Sequence, residues 1–315
     1  MNSQDPLQTI IQAWTTRSAP VGIPALADAA RKRHAGVAAV LFYGSCLRRG
    51  RADEGIADLY LLVDDYRVAF DSGFKAVMNR LLPPNVFYLE TPWEGRTLRA
   101  KYAVLTLDNF EKGARSWFHS YIWGRFAQPS GLIYTRDRDA SDRIHQALAW
   151  SVRTFVRRAL PQAPDIFTAR ELWSTGLSLS YRCELRSEGP DTAARLVDAA
   201  PDYYTAVTRE ALGDILLPVE PLPGGPPLRY RLNASAAQKR RNHFAWRLRQ
   251  VQGKCLSALR LLKALLTFEN GLDYVLWKIE RHSNVRVEVS PLLRRLPPLA
   301  VPVIFWKLFR KGAFR

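Results

Sequence analysis

The chain has only three cysteines in 315 residues, Cys46, Cys183 and Cys255. They follow neither disulfide nor metal-knuckle spacing, which argues against a disulfide-stapled fold and fits a reducing compartment. No apolar run reaches the ~20 residues of a membrane-spanning helix, and the amino terminus has no basic-then-apolar leader pattern. The expectation is a cytoplasmic, non-spanning protein. His119 and His145 stand alone, without the company a metal site needs. Acidic residues are also scarce, 29 against 46 Lys and Arg, so the net charge is +17. Such an excess suits an anionic partner, either nucleic acid or a membrane surface. Its distribution is uneven: Lys239 to Arg315 holds 17 Lys and Arg but only Glu269, Asp273, Glu280 and Glu288, a local balance of +13.

Forty-seven per cent hydrophobic and 24 per cent charged residues make a globular composition, and this length can bury a core shared by more than one domain. Chemistry concentrates near residue 45. Val37 to Tyr43 reads as a short apolar strand, Gly44 as the turn, Ser45 as the start of a brief Arg-rich helix, and Asp58 as the start of a second strand that runs to Asp65. Free N–H groups after a glycine turn, with a serine hydroxyl, can hold a triphosphate, and a carboxylate on the next strand can hold Mg²⁺ against it. This arrangement suits nucleotidyl transfer, in which positioning and charge neutralisation do most of the work. A Gly-Ser turn before an acidic strand also occurs in ordinary α/β proteins.

The acidic strand is irregular. Two carboxylates two residues apart would share a face and both reach one metal ion, but Tyr60 stands where the second would be. Asp64 lies on the same face as Asp58 but roughly 20 Å away, too far to share an ion. Asp58 is therefore the candidate ligand, Asp64-Asp65 reads as a solvated turn, and Glu90 is a candidate second carboxylate.

Helices are expected between Pro6 and His34 and over Phe70 to Leu82, and strands over Asn85 to Glu90 and Leu98 to Leu107. Lys101 in the second of these strands needs either an anionic partner or an edge position that reaches water. Asp108 and Glu111 read as a capping box for one helix that carries Phe110, Trp117, Phe118, Tyr121 and Ile122 to Gly124-Arg125. Further helices follow over Ser141 to Leu160, with Ile144, Leu148, Val152 and Phe155 as the buried stripe, after a Thr168–Glu171 cap, and over Asp191 to Leu217. Leu217 to Tyr230, rich in Pro and Gly, reads as a linker or long loop. Ala236 to Leu266 is a long basic helix. The tail from Pro297 joins Phe305, Trp306 and Phe309 to Lys307, Arg310, Lys311 and Arg315, a pattern suited to the headgroup region of an anionic bilayer or to docking on its own protein.

Several of these pieces resemble one family in its order: Phe42-Tyr43-Gly44-Ser45, the strand from Asp58 to Asp65, Lys101 to Leu105, the Trp117 helix leading to Tyr121-Ile122-Trp123-Gly124-Arg125 and Pro129, and Gly176 to Tyr181. The chain is similar there to the mitochondrial-type phosphatidate cytidylyltransferases, known as translocator assembly and maintenance proteins. The resemblance implies an α/β nucleotidyltransferase domain of the polymerase-beta type, a mixed sheet with helices, over 1–140. A helical, winged-helix-like domain would occupy 141–235, and a basic amphipathic membrane-associating region 236–315. It implies that CTP and phosphatidate give CDP-diacylglycerol and pyrophosphate with Mg²⁺. Asp58 and Lys101 would be catalytic, with Asp58 and Ser45 holding the metal. Tyr43, Gly44, Ser45, Tyr121 and Arg125 would bind nucleotide, and Phe305, Trp306, Lys307, Phe309, Arg310 and Lys311 the membrane. The expected place is the inner face of the cell membrane or a matrix-facing inner membrane, with no nucleic-acid partner. Two other readings stay open on the residues: a nucleotidyltransferase with RNA or a small polar acceptor, and a catalytically silent membrane-binding protein of the same fold.

Overall fold

The structure is a computed structural model that describes residues 5–51, 55–185, 191–215 and 217–267. The tail assigned to the membrane, with Phe305, Trp306, Lys307, Phe309, Arg310 and Lys311, lies outside the described residues.

Two helices, α1 (Pro6–Thr15) and α2 (Ile23–Arg31), precede strand β1 (Val37–Tyr43). A five-residue helix α3 (Ser45–Arg49) leads to β2 (Ala57–Val63), followed by α4 (Tyr66–Ala69), α5 (Gly73–Leu81), β3 (Asn85–Trp93) and β4 (Arg96–Thr106). Helices α6 (Leu107–Arg115) and α7 (Trp123–Phe126) and strand β5 (Gly131–Thr135) complete the first part. The five strands form one mixed sheet in the order β3-β4-β2-β1-β5, parallel only between β2 and β4. The near-continuous apolar runs of β1 and β2 follow from burial on both faces. One face packs on α1, α6 and α8 through Leu41, Tyr60, Leu62, Ala103 and Leu105, and the other on α2, α4 and α5 through Val40, Leu59, Leu61 and Val104.

The second part opens with α8 (Arg138–Ala159), whose expected stripe of Ile144, Leu148, Val152 and Phe155 is buried. Next come β6 (Ile166–Thr168), α9 (Ala169–Tyr181), α10 (Thr192–Asp198), α11 (Pro201–Gly213), β7 (Val219–Pro221), β8 (Arg229–Leu232) and α12 (Ala236–Thr267). The capping box of Thr168 and Glu171 forms as expected. Gly176 lets α9 close on α8, because a Cβ there would meet Phe155 and Ala159 at 2.6–2.7 Å. Phe155 then stacks on Trp173 at 4.3 Å, and the indole N–H donates to Thr208 Oγ1. The core is continuous from the sheet into these helices.

Four local expectations are corrected. Helix α5 starts at Gly73, capped by Ser72, and a separate short α4 is capped by Asp65. Asp108 and Glu111 do not cap α6; Thr106 does, while both carboxylates accept from Arg143. The single helix expected from Phe110 to Arg125 is two, because carbonyls of residues 116–118 turn outward onto guanidiniums. Arg158 takes those of Trp117 (2.5 Å) and Phe118 (3.3 Å), and Arg249 takes Phe118 as well (2.9 Å). The proline-rich stretch is not a linker but the β7–β8 hairpin, paired through β8 to β6, with Tyr230 and Leu232 inward and Arg229 and Arg231 outward.

The basic helix α12 lies along the protein. Trp246 donates to the Arg158 carbonyl (3.0 Å), Gly253 packs on the Cys183 backbone, and Arg260 donates to the Pro83 carbonyl (2.8 Å). Lys263, 2% exposed, donates to Asn79 Oδ1 and the Pro84 carbonyl, each at 3.0 Å, and to the Leu82 carbonyl. Lys263→Ala leaves these acceptors buried and unmet, and is expected to cost about 1–3 kcal/mol. Urea unfolding of the variant against the parent measures it, and an unchanged midpoint would remove Lys263 as the fastening of α12.

Candidate active site

A cavity of about 570 Å³ opens where the end of β1 meets the second part of the molecule. The sheet part contributes Tyr43, Gly44, Ser45, Arg48, Asp58 and Arg125, and the helical part Ser180, Tyr181, Glu184, Leu196 and Tyr204.

Its floor is built by register. Tyr43 pairs with Asp58 across β1–β2, Asp58 with Lys101 across β2–β4, and Lys101 with Tyr88 across β4–β3. Directly paired residues point to the same face, so Asp58 and Lys101 stand side by side at the rim of the core. Because β4 is an interior strand, the edge position considered for Lys101 does not apply. Lys101 is half-buried and does not line the cavity. Gly44 has φ +91°, and a Cβ there would meet Asp58 Oδ2 at 2.6 Å. Only glycine lets the backbone pass this close to the carboxylate, and the same turn presents Ser45 to the cavity.

Tyr60, in the place of a second strand carboxylate, carries the site's main support. Its hydroxyl accepts from Arg125 Nη1 at 3.0 Å, and Arg125 Nη2 reaches both oxygens of Glu184 at 2.9 and 3.1 Å. Arg125 also donates to the Tyr121 carbonyl at 3.2 Å and lies over the Tyr121 ring at 4.3 Å. The pair is deeply placed, with side chains 7% and 16% exposed. Burial alone would lower the Arg125 pKa, but the Glu184 carboxylate and the surrounding tyrosines hold it well above its ordinary value. Burial pushes the Tyr60 phenol well above the usual tyrosine range.

The expected site residues thus divide. Tyr43, Gly44, Ser45, Asp58 and Arg125 come together around one cavity. Tyr121 does not line it; its ring sits between Arg125 at 4.3 Å and Arg260 at 4.1 Å. Glu90 is not brought to Asp58 either: it lies two strands away on β3 and accepts from Tyr88 and Arg99. Asp64 is in the turn after β2, paired with Arg136. His119 is half-buried, and that burial, with Arg260 and Arg158 nearby, lowers its pKa to about 4, so it is neutral near pH 7. Glu184, Tyr181, Arg17 and Arg48 escaped the reading of the sequence. Nothing in their spacing marks them, since they reach the cavity from three separate elements.

Among the described residues no group of three His, Cys, Asp or Glu side chains could hold a metal ion. One carboxylate and one hydroxyl, Asp58 and Ser45, fit a cation such as Mg²⁺, which commonly takes one or two carboxylates and fills its shell with phosphate oxygens and water.

The comparisons bear on this geometry. Residues 66–206 match the model of the family described as phosphatidate cytidylyltransferase, mitochondrial. The matched segment holds Lys101, Tyr121, Arg125, Tyr181 and Glu184 and starts after Asp58. No curated protein matches the chain. Among solved structures, a nucleotidyltransferase-like protein from Exiguobacterium sibiricum 255-15 is similar at 12% identity, over 92% of each chain, with a TM-score of 0.23. At that score the likeness carries no argument.

Glu184→Ala would leave a buried guanidinium without its carboxylate, and is expected to destabilise the fold by about 3–5 kcal/mol. Replacing the pair together by Arg125→Met and Glu184→Leu should recover much of the loss. Thermal and urea unfolding of the three forms measures this, and a single variant as stable as the parent would show that the pair does not fasten the two parts.

Proposed function

We propose that this chain, which over residues 66–206 matches the model of the mitochondrial phosphatidate cytidylyltransferase family, makes CDP-diacylglycerol and pyrophosphate from CTP and phosphatidate at a membrane surface. The observation that carries the site assignment is the contact of the Gly44 backbone with Asp58 in the wall of a cavity shared by the sheet and the helices.

A phosphate oxygen of phosphatidate attacks the α-phosphorus of CTP. The new P–O bond forms as the bond from that phosphorus to the oxygen bridging to the β-phosphorus breaks, and pyrophosphate leaves with the electron pair. The attacking phosphate is already ionised near neutral pH, so no strong general base is needed. Asp58 and Ser45 would hold Mg²⁺, which when bound neutralises phosphate charge. The Gly44–Ser45 turn orients the nucleotide's phosphates against the sheet, while Lys101, paired beside Asp58 and outside the cavity lining, adds positive charge behind that carboxylate. Arg125, already committed to Glu184, shapes the wall and keeps the helical part closed on the sheet. We read α8, α9 and α11 with the β6-β8-β7 sheet as the winged-helix-like domain.

Attachment to the bilayer is supported by the outer side of α12. Phe244, Leu248, Val251 and Leu259 are 62%, 46%, 64% and 49% exposed, and the helical period puts them on one face. Exposed Arg240, Arg241, Arg247 and Lys254 flank them. An apolar stripe edged with cations matches the headgroup boundary of an anionic membrane, where phosphatidate is found. No described helix is long and apolar enough to cross a membrane. The proposed place is the inner face of the cell membrane or a matrix-facing inner membrane.

Asp58→Asn should lower turnover by about 10³ or more with the fold intact, since it keeps the shape and removes the charge that anchors the metal. Lys101→Ala should lower it severely as well, through loss of a charge-assisted contact. The assay is CTP turnover with phosphatidate vesicles, with RNA and without acceptor; near-normal turnover in the Asn variant removes Asp58 from the site, and turnover with RNA alone replaces the lipid reading.

Replacing Phe244 and Leu248 by Ser should reduce co-sedimentation with vesicles containing anionic lipid, each aliphatic or aromatic anchor contributing about 1.5–3 kcal/mol when buried. Activity on a detergent-dispersed short-chain phosphatidate should persist. Equal loss on both forms of substrate would mean that this face packs on protein rather than lipid.

A further inference from the structure

We infer that Arg17 and Arg48 form a phosphate clamp at the rim of the cavity, receiving either the triphosphate of the nucleotide or the phosphomonoester of the lipid acceptor. The inference rests on the function proposed above and extends it to two residues outside the family-matched segment.

The charges lining the cavity lead to these two. They are Arg17, Arg48 and Arg125 against Asp58 and Glu184. Arg125 and Glu184 neutralise each other through a bidentate bond. Asp58 is turned to the Gly44–Ser45 corner, where it would hold a cation. Lys101 does not line the space. Among the described residues, Arg17 and Arg48 are then the cationic side chains of the lining with no carboxylate bound to them. A site that takes a polyphosphate and a phosphate monoester together has to supply such charge.

Their presentation supports the role. The guanidinium of Arg17 lies over the Trp14 ring, 3.3 Å from its centroid, so an aromatic face, not an ion pair, holds it. That contact leaves its N–H edge available to an anion. Arg48 stands three residues after Ser45 in α3, the helical spacing that puts it on the same side as the serine hydroxyl. Both are exposed; Arg17 lies in the loop after α1 and Arg48 in α3, and both line this cavity. A planar guanidinium presents two parallel N–H groups to two phosphate oxygens, a fork that the lysine ammonium lacks.

The test uses the full chain with Arg17→Gln, Arg48→Gln and the double variant, and Arg229→Gln on the far β8 strand as a control. Calorimetry gives the dissociation constants for CTP and for tripolyphosphate. Steady-state kinetics with a detergent-dispersed short-chain phosphatidate gives KM for each substrate, so that membrane binding does not enter. Each single change should raise one of these constants roughly tenfold and the pair roughly a hundredfold, as loss of charged hydrogen bonds does. Arg17→Lys should recover part of the loss, and unfolding midpoints should not move. A rise confined to CTP and tripolyphosphate assigns the clamp to the nucleotide; one confined to phosphatidate assigns it to the lipid. Constants within about twofold of the parent in the double variant would overturn the clamp while leaving the proposed reaction standing. If the parent neither binds CTP nor uses phosphatidate, the proposed reaction fails instead, and the clamp is then decided by tripolyphosphate alone: weaker binding in the double variant keeps it, and equal binding overturns it.

Discussion

A buried guanidinium joins the two parts of this protein where the cavity opens between them. Arg125 leaves the short helix α7 and bonds Tyr60 on the central strand β2, the carbonyl of Tyr121 and both oxygens of Glu184 beyond α9. Burying a guanidinium is costly unless every donor edge meets an acceptor, and here three elements are held in place to meet them. The cavity is a consequence. Its walls come from both sides of this junction, so its shape depends on a contact that makes no use of the substrate.

The same economy governs other cations. Arg158, Arg249, Arg260 and Lys263 are directed at main-chain carbonyls of residues 82–84 and 116–118, and carboxylates play no part in those contacts. Burial, with Arg249 and Arg157 adding like charge, lowers the Arg158 pKa to about 9. These groups stop α6 at residue 115, hold the turns that follow it against α12, and fix α12 along both parts of the molecule. A net charge of +17 therefore overstates the positive surface, since part of it is structural. What remains outward on α12 is a narrower pattern of an apolar stripe with cations at its edges, better matched to a lipid headgroup layer than to a broad polyanion.

At the site the division of labour is equally sharp. The sheet supplies a carboxylate, a glycine turn and a hydroxyl within one strand pairing, while the helices supply a wall and the counter-charge for Arg125. Tyr60, where a second strand carboxylate would stand, accepts from the Arg125 guanidinium instead.

Much of this was legible in the sequence, and for local reasons. Alternation and apolar runs defined β1, β2 and β4, a 3.6-residue stripe defined α8, and the Thr168–Glu171 cap set the start of α9, because each signal lies within one element. The Gly44–Ser45 turn and Asp58 were legible because the chemistry there is carried by neighbours in the chain. The order of the strands, the break after Arg115, the pairing of β8 with β6 in a proline-rich stretch and the approach of Glu184 to Arg125 were not. Each depends on residues far apart in the chain meeting a donor or acceptor that only folding brings near. Sequence by itself determined which residues could bind phosphate; tertiary structure decided which of them face one cavity and which are spent holding it open, because a buried charge takes whatever partner the packing puts within reach.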